Sequence, residues 1–322
     1  MEVLILHDAV AADAPPDAQD TLVQVDAVAR ALRKRGHRCD VDATDGDLEA
    51  LAARLRAHRP ERVFNLVESL AGSDAAAIAV PALLDGLGIA YTGSPAAAIA
   101  LANDKCIAKR LLVRFGLPTP PWFSDASTDP PFEPGRYIAK ARFEHASKGL
   151  EADAIGAVAD VAGARALLDG WRAKAGLPCF AERFVDGREF NLSLLERGGD
   201  IEVLPPAEID FSAFPAGTPR MVGYKAKWVE ASFEFRNTPR RFDFAKADEP
   251  LVVELVALAR TAFRSFGLRG YARVDFRVDE DGPWILELNA NPCLAPDAGY
   301  AAALDRANIA YDDAIERILL AI

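Results

Sequence analysis

The sequence predicts an α/β protein with a parallel sheet in its N-terminal part. Its 322 residues are 51% hydrophobic and 26% charged, a composition typical of globular proteins and not of disordered chains. Strand-like and helix-like segments alternate through the first hundred residues, as in parallel sheets covered by helices. Near the C-terminus, two period-two segments flank a turn and predict an antiparallel hairpin. The length suggests two or three domains.

In the first part of the chain, short apolar runs alternate with helical spacing. The predicted strands are residues 3–6, 39–41 and 63–66, and the predicted helices are residues 22–32, 48–55 and 75–87. Gly36 follows the first helix and is typical of a helix end. A turn at residues 91–95 leads into the next region.

The rest of the chain is predicted to mix helices, strands and irregular segments. A helix at residues 105–115 precedes a surface loop at 124–135, a strand at 137–140, a loop at 144–149 and an Ala-rich helix ending near residue 175. Strands follow at residues 179–184, 189–195 and 201–203, then an irregular segment at 211–241 and a helix at 251–266. After the hairpin, two helices complete the chain.

Charge and cysteine content exclude several classes of protein. Lys plus Arg number 37 and Asp plus Glu number 48, so the formal charge is −11, which argues against a general nucleic-acid or anionic-membrane binder. No stretch is long and apolar enough to span a bilayer, and residues 1–8 do not resemble a signal peptide. The four cysteines form no CxxC pair, so we expect a cytoplasmic protein with reduced thiols.

The hairpin gathers polar side chains on one face. With the turn near Asp281, Asp275 faces Glu287, and Arg273 faces Asn289. Directly opposed side chains lie about 5 Å apart, and like charges there repel. A hard cation such as Mg²⁺ would relieve that repulsion. A solvated face balanced by arginines would relieve it equally well, so the residues alone leave both interpretations open.

The other face of the hairpin is predicted to be apolar and to pack on a core. In the same register, Phe276 faces Leu286 and Val278 faces Trp284.

Six segments, taken together, resemble one enzyme superfamily. They are YTGS at 91–94, NDK at 103–105, YIAK at 137–140, SKG at 147–149, ERFVDGRE at 182–189, and RVD at 273–275 followed by ELNANP at 287–292. Their order and spacing resemble the ATP-grasp superfamily, and more narrowly its D-alanine–D-alanine ligase branch, over almost the whole chain. The resemblance implies a three-domain ATP-grasp fold, α+β in the ATP-binding part, with domains at residues 1–98, 99–179 and 180–322. ATP and Mg²⁺, with Mn²⁺ as a substitute, would bind between the second and third domains.

The resemblance also implies roles for the nucleotide-binding residues. Lys105 and Lys140 match lysines that hold ATP phosphates, for which a compact positive charge is suited. Glu182 matches the residue that accepts the adenine amino group, and Phe184 the one that supplies backbone contacts. Glu189 matches the ligand of the ribose hydroxyls.

Further matches concern catalysis and the metal. Ser147 and Gly149 lie in the loop expected to fold over the transferred phosphates, and Lys227 matches a lysine on a loop that closes over the γ-phosphate. Arg273 matches the arginine that steadies the reacting carboxyl oxygen. The implied metal ligands are Asp275, Glu287 and Asn289. Arg273, Lys227 and Ser147 form the implied catalytic set.

The sequence departs from this branch where the substrates would bind. The glutamate that receives the first substrate's ammonium is missing, and Asp17 or Asp20 could replace it. A triad of Glu, Ser and Tyr is not visible, because Ala146 and Trp228 stand at two of its places. The remaining candidate pocket residues are Glu68, Asp297 and residues 211–214. His145 and Cys293 are expected near the site without a catalytic role.

The implied activity is ATP-dependent ligation of a carboxylate to an amine through an acyl phosphate, on amino-acid-like substrates. The alternatives are authentic D-alanine–D-alanine ligation, a nucleotide-binding regulatory protein without ligase activity, and a phosphotransferase that stops at a phosphorylated product. The expected partners are small carboxylates and amines, without nucleic acid or membrane. Homodimer formation is left open.

Overall fold

Three sheets and the helices around them make up the molecule. A computed structural model describes residues 1–126, 129–144 and 146–322. The strands are β1 (Glu2–Asp8), β2 (Arg38–Thr44), β3 (Arg62–Asn65), β4 (Trp122–Phe123), β5 (Gly135–Ala141), β6 (Ile155–Val158), β7 (Cys179–Arg183), β8 (Arg188–Arg197), β9 (Asp200–Val203), β10 (Ala207–Ile209), β11 (Arg240–Arg241), β12 (Tyr271–Asp279) and β13 (Gly282–Asn289).

The helices cover the sheets and connect them. They are α1 (Pro16–Lys34), α2 (Leu48–His58), α3 (Ala79–Leu87), α4 (Ala96–Asn103), α5 (Lys105–Arg114), α6 (Val161–Ala175), α7 (Tyr224–Trp228), α8 (Phe233–Arg236), α9 (Glu249–Ser265), α10 (Gly299–Arg306) and α11 (Tyr311–Leu320). Among the described residues, no helix has both the length and the apolar character needed to cross a bilayer.

The N-terminal sheet confirms the predicted parallel arrangement. Its strand order is β2-β1-β3, and β1 runs parallel to both neighbours. Ile5 at its centre is fully buried against α1. Helix α1 begins earlier than predicted, because Pro16 is accommodated in the first turn, where its missing N–H has no partner to lose. That early start places Asp17 and Asp20 on the helix.

The second sheet is antiparallel, with strand order β4-β7-β5-β6. Glu182 on β7 pairs in register with Ile138 on β5, so it lies diagonally from Lys140 on the same face. The boundary predicted between residues 179 and 180 falls at the start of β7. A division along the sheets would come after Arg183, and the domain limits stay a prediction.

The third sheet has strand order β11-β10-β8-β12-β13, with β9 paired to β8. The predicted register is confirmed at the polar end of the hairpin, where Asp275 faces Glu287 and Arg273 faces Asn289. The predicted pair of Val274 with Leu288 is confirmed as well, but the register shifts between Asp275 and Phe276, so the predicted pairs of Phe276 and Val278 are wrong.

A β-bulge is the cause of that shift. Phe276 faces Ile285, and Val278 faces Pro283, because a bulge sets two residues of one strand against one of the other. The backbone of Ile285 is held by Pro118 and Thr119, whose hydrogen bonds to it are both 2.9 Å long. The bulge moves Leu286 off the apolar face and into the large cavity described below.

Other elements differ from the predictions. The predicted helix at 75–87 divides into a 3₁₀ turn at Asp74–Ala76 and α3. Helix α4 and strand β6 were not predicted; α4 is Ala-rich and offers no polar face whose period could be read. The segment predicted as irregular contains α7, α8 and β11.

A turn at residues 91–94 connects the first sheet to the third. Asn291 Oδ1 accepts a 3.0 Å hydrogen bond from the Ser94 N–H. Gly93 has φ +83°, and a Cβ there would lie 2.4 Å from the same oxygen, so no other residue fits without displacing Asn291. This contact places the segment after β13 beside the N-terminal sheet.

Candidate active site

A cavity of about 640 Å³ lies where the three sheets meet. The predicted site residues that line it are Asp17, Asp20, Glu68, Lys105, Lys140, Ser147, Glu182, Phe184, Glu189, Lys227, Arg273, Asp275, Glu287, Asn289 and Asp297. Gly149 does not line it. A Cβ on Gly149 would lie 2.9 Å from the Trp171 ring, and its carbonyl accepts a hydrogen bond from that indole, so Gly149 packs against α6.

Two lysines hold the buried carboxylate of Glu182. Lys140 Nζ donates to Glu182 Oε2 at 2.5 Å, and Lys109 Nζ lies 2.7 Å from Oε1. Burial alone would raise the pKa of Glu182, but the two lysine charges outweigh it and lower that pKa. Lys109 also donates to Thr119 and Pro120. Its importance was missed, because Lys109 reads as one of several polar residues along α5.

Lys105 connects a loop to the hairpin. Its Nζ donates to the Glu144 carbonyl at 2.5 Å and lies 3.6 Å from Glu287 Oε2. The Lys105 side chain is only 7% exposed. Part of the repulsion predicted between Asp275 and Glu287 is therefore relieved by a cation of the protein itself.

Asp275 is surrounded by donors. Arg273 donates to both of its oxygens, at 2.7 and 2.8 Å. Asn191 and Asn289 donate to one oxygen each, at 2.8 and 3.1 Å. These four bonds use the acceptor positions of an ionised carboxylate. Burial would lower the pKa of Arg273, but the charge of Asp275 and its hydrogen bonds with Arg273 outweigh that effect and raise the pKa.

The oxygen atoms of the hairpin side chains fit a hard cation. Asp275 and Glu287 are directly opposed, and Asn289 adds an amide oxygen, the ligand types that Mg²⁺ prefers. An ion on Asp275 would have to replace one of its N–H donors. Within the described ranges, no group of three or more His, Cys, Asp or Glu side chains is arranged to hold a metal, so such a site would depend on Asn289.

Lys227, on α7, lies close to the same hairpin side chains. Burial lowers its pKa and the charge of Glu287 opposes that effect, while Arg273 adds to it. Its side-chain nitrogen is thus close to the charged hairpin side chains, and its role over a phosphate stays a prediction.

Glu189 and Phe184 lie farther along the cavity. Glu189 forms a 2.7 Å ion pair with Arg277, yet burial outweighs this pairing and raises the Glu189 pKa. The Phe184 N–H donates to the Arg136 carbonyl at 2.7 Å. That N–H is already used within the protein, so it does not supply the predicted backbone contact here.

The loop after β5 carries a left-handed serine. Ser147 has φ +64°, an uncommon conformation for a residue with a Cβ. The Glu144 carboxylate accepts hydrogen bonds from the N–H groups of Ala146 and Lys148, at 2.5 and 2.9 Å. These backbone donors thus hold an anion of the protein at the place predicted for phosphates. His145 lies outside the described residues.

Acidic side chains line another part of the cavity. Glu68 accepts a 2.9 Å hydrogen bond from Gln24. Burial, with the charges of Asp8, Asp20 and Asp74, raises its pKa to about 7 although the Gln24 hydrogen bond opposes this. Asp8 accepts from the N–H groups of residues 68 and 69 and so positions Glu68.

Asp20 and Asp297 complete this acidic group, defined as Asp8, Asp20, Glu68, Asp74 and Asp297. Asp20 accepts a 3.0 Å hydrogen bond from the Cys293 thiol. Arg240, which the sequence analysis missed, lines the cavity and donates to the Asp297 carbonyl at 3.4 Å.

The aromatic residues proposed for the pocket are placed elsewhere. Phe211 lies under the guanidinium of Arg277 and packs edge-on against Phe214. Neither ring lines the cavity, so they support Arg277 from behind.

Asp17, one of the two candidates for the missing ammonium ligand, is already paired at both carboxylate oxygens. Its Oδ1 accepts a 3.0 Å hydrogen bond from the Tyr224 hydroxyl, and Lys148 Nζ lies 2.9 Å from Oδ2. Both oxygens are committed to neighbouring segments. Both candidates line the cavity, and the hydrogen bond from Cys293 leaves Oδ1 of Asp20 available, so Asp20 is the better candidate.

Comparison with known proteins agrees with this arrangement. A family model described as D-ala D-ala ligase C-terminus matches residues 173–320. The chain is 34% identical to a D-alanine–D-alanine ligase of Pseudomonas putida strain GB-1, over 87% of this chain and 82% of the relative. It is 31% identical to the uncharacterised protein y4sG of Sinorhizobium fredii, over 91% of this chain and 85% of the relative.

Solved structures share the fold. The D-alanine–D-alanine ligase from Bacillus anthracis complexed with ATP aligns with a TM-score of 0.72, covering 100% of this chain and 97% of that one at 18% identity. The fold, the residues gathered in the cavity and the similarity over most of the sequence agree. The chain belongs to the D-alanine–D-alanine ligase family of ATP-grasp ligases.

Proposed function

We propose that this protein joins a carboxylate to an amine at the expense of ATP, through an acyl phosphate, and that both substrates are amino-acid-like. One observation supports this most strongly: a single cavity contains a basic group, defined as Lys105, Lys140, Lys227 and Arg273, and a separate acidic group. The first suits phosphates and a developing oxyanion. The second suits an ammonium group.

Each member of the basic group has a distinct task. Lys105 and Lys140 hold the phosphates of ATP. Lys227 approaches the phosphate that is transferred, and Arg273 stabilises the carboxyl oxygen as it gains charge. Rate enhancement comes from positioning and charge neutralisation, so no nucleophilic side chain is required.

The hairpin residues Asp275, Glu287 and Asn289 would hold Mg²⁺ or Mn²⁺. Such an ion supplies additional positive charge near the phosphates. In its absence, Arg273 and Lys105 neutralise the two carboxylates.

Glu68 and Asp20 are the proposed ligands of the substrate ammonium. Glu68 is oriented by Gln24 and Asp8, and Asp20 by Cys293. This pair takes over the task for which the sequence offers no matching glutamate.

Authentic D-alanine–D-alanine ligation is the second candidate. It is supported by the relatives of that name at 34% identity. A regulatory protein without ligase activity is disfavoured, because the basic group and the opposed carboxylates would have no reason to be kept together. A phosphotransferase would release a phosphorylated product and form no amide.

The decisive experiment measures phosphate release and product mass with ATP, Mg²⁺ and a panel of D- and L-amino acids and small carboxylates. An amide product together with phosphate supports the ligase. D-alanyl-D-alanine as the best product selects the second candidate, and a phosphorylated end product selects a phosphotransferase.

Two variants complete the test. Asp275→Asn should abolish both products, whereas Glu280→Gln, in the exposed turn of the same hairpin, should leave them unchanged. Nucleotide binding without turnover on every substrate pair would contradict the proposal.

A further inference from the structure

Lys109 carries a buried charge that none of the proposed roles uses. Its side chain, on α5, is only 1% exposed and does not line the cavity. Its Nζ lies 2.7 Å from Glu182 Oε1 and donates to the Thr119 hydroxyl at 2.7 Å and to the Pro120 carbonyl at 2.9 Å. Three oxygen atoms therefore surround the ammonium, as many as it has N–H groups.

These contacts connect the second and third sheets. The Thr119 hydroxyl donates at 2.9 Å to the carbonyl of Ile285, on β13 beside the bulge. Glu182 lies on β7, where it pairs in register with Trp122, and the Lys109 ammonium lies 5.5 Å from the centre of that indole ring. The ammonium is thus held between the two sheets, and it cannot leave Glu182 without breaking its contacts with residues 119–120.

Glu182 offers one of its oxygens to the cavity. Its Oε1, the oxygen beside Lys109, is fully buried. Its Oε2 accepts a 2.5 Å hydrogen bond from Lys140, which lines the cavity together with Glu182. Each carboxylate oxygen accepts about two hydrogen bonds, so Oε2 keeps a place for one further donor from a ligand.

Resting on the proposed function, in which ATP is the nucleotide, we infer that Lys109 is a positioning residue that determines the choice of purine base. It holds Glu182 so that Oε2 accepts a hydrogen bond from a 6-amino group and rejects a 6-oxo group. An ionised carboxylate only accepts hydrogen bonds, whereas a protonated one also donates. Adenine offers a donor at this position, and a 6-oxo purine offers an acceptor. Glu182 contacts the base, and Lys109 sets from behind which base it accepts.

The local electrostatics support this role. Burial alone would raise the pKa of Glu182, but the charges of Lys109 and Lys140 outweigh it and lower that pKa, with Lys109 the larger contributor. Burial lowers the pKa of Lys109, and the charge of Glu182 opposes that effect. Each group therefore favours the charged form of the other. Without Lys109, burial is opposed by Lys140 alone, and the protonated form of Glu182 becomes populated.

The first test measures nucleotide binding and does not depend on ligation. Dissociation constants of ATP and of inosine triphosphate, which carries a 6-oxo purine, are measured by calorimetry with Mg²⁺ for wild type and Lys109→Met. We expect the wild type to bind ATP at least about a hundredfold more tightly. In Lys109→Met this ratio should fall at least about tenfold, because ATP binds more weakly and inosine triphosphate more tightly. Equal affinities in the wild type, or an unchanged ratio in the variant, would overturn the inference.

Thr119 provides a milder pair of variants, which decides the matter should Lys109→Met fail to fold. Thr119→Val removes the hydroxyl that accepts from Lys109, whereas Thr119→Ser keeps it. We expect Thr119→Val to lower the ratio of the two affinities about threefold and Thr119→Ser to leave it within about twofold of the wild type. The wild-type ratio in both variants would refute the anchored lysine as the source of selectivity.

The matched control is Leu112→Ala. Leu112 lies on the same helix and is 1% exposed in the core beside the third sheet. Its truncation leaves a cavity and lowers stability, but it removes no charge and no hydrogen-bonding group. The ratio of the two affinities should stay at the wild-type value. If Leu112→Ala lowered it as much as Lys109→Met, selectivity would simply follow stability, and the role of Lys109 would be refuted.

Failure of this inference is distinguishable from failure of the proposed function. Selective binding of ATP that is lost in Lys109→Met, in a wild type that forms no amide, would refute the ligase and leave the role of Lys109 standing. Amide formation by a wild type whose base selectivity does not depend on Lys109 would refute the inference and leave the ligase standing.

Discussion

The basic and acidic groups of the cavity differ in how they are built. Three members of the basic group lie on or directly beside strands of the second and third sheets: Lys140 on β5, Arg273 on β12, and Lys105 beside Glu287. The acidic group comes from the end of β1, from α1, from the segment after β3 and from the segment after β13. The first is held by strand register and the second by contacts between distant segments.

This difference explains why the two groups differ in charge balance. Each basic residue on the strands has an acidic partner nearby, such as Asp275 for Arg273 and Glu182 for Lys140. In the acidic group, like charges lie close together. Burial, and to a smaller extent the neighbouring carboxylates, raises the pKa of Glu68 to about 7. The strand-held part pairs its charges within the protein, whereas the acidic part is the one that we propose binds a substrate ammonium.

The largest effect is expected from Asp275→Ala. The change leaves Arg273 without its partner and removes a proposed metal ligand. Turnover should fall by about 10³-fold or more, and the free energy of unfolding by about 3 kcal/mol, because a buried guanidinium is left unpaired. Phosphate release and urea unfolding are the measurements. Retention of more than a tenth of the turnover would show that the hairpin is not the reaction centre.

Lys109→Met tests the strand-held part without touching the cavity lining. Glu182 would lose its 2.7 Å partner in a fully buried place, and we expect a loss of about 3–5 kcal/mol in unfolding free energy. The control is Lys174→Met, which breaks an exposed 2.6 Å pair with Asp153 and should cost at most about 1 kcal/mol. Equal losses in the two variants would mean that burial does not distinguish the pairs.

Glu68 should make both the stability of the protein and substrate binding at the acidic group depend on pH. Its folded-state pKa of about 7 lies above the ordinary value of 4.5, so its contribution to stability is present below pH 4.5 and is lost as the pH rises towards 7. Binding of an ammonium group needs the ionised form. The KM for the first substrate, whose ammonium Glu68 would hold, should therefore fall up to about tenfold from one pH unit below this pKa to one above it.

Glu68→Gln is the matching variant. It should flatten that dependence while leaving the KM for ATP unchanged, because Glu68 is not part of the basic group. Steady-state kinetics across this range provide the measurement. If the KM of the variant changed with pH as in the wild type, the titration would belong to another group.

The smallest effect is expected at Cys293. Burial raises the pKa of this thiol well above its usual value, so it stays protonated and donates to Asp20. Cys293→Ser keeps a donor and should change the KM for the first substrate less than about twofold, whereas Cys293→Ala should raise it a few-fold. Identical values in the two variants would show that Asp20 needs no such donor.

Much of the basic group could be predicted from the sequence. Period-two alternation in β12 and β13 already pairs Asp275 with Glu287, since the register of a hairpin follows from its turn and its pattern. The bulge beside them could not be predicted, because it depends on Pro118 and Thr119, which are distant in the sequence. As a result, Leu286 was assigned to the wrong face.

The acidic group and its neighbours were harder to predict. Asp17, Asp20 and Glu68 were all candidates for one ammonium ligand, and nothing local to them separates the three. The contact of Asp17 with Tyr224 and Lys148 separates them in the structure. Lys109 was missed for the same reason: its partner Glu182 comes from another strand.

By itself, the sequence determined the parallel N-terminal sheet, the polar face of the hairpin and the set of lysines that suit phosphates. These follow from local alternation and from motifs whose residues are neighbours along the chain. Only the tertiary structure decided which acidic residue pairs with Tyr224 and Lys148 and which lysine supports Glu182. Those outcomes depend on burial and on charges that meet across different segments, and the free energy of such contacts is set by distances in space.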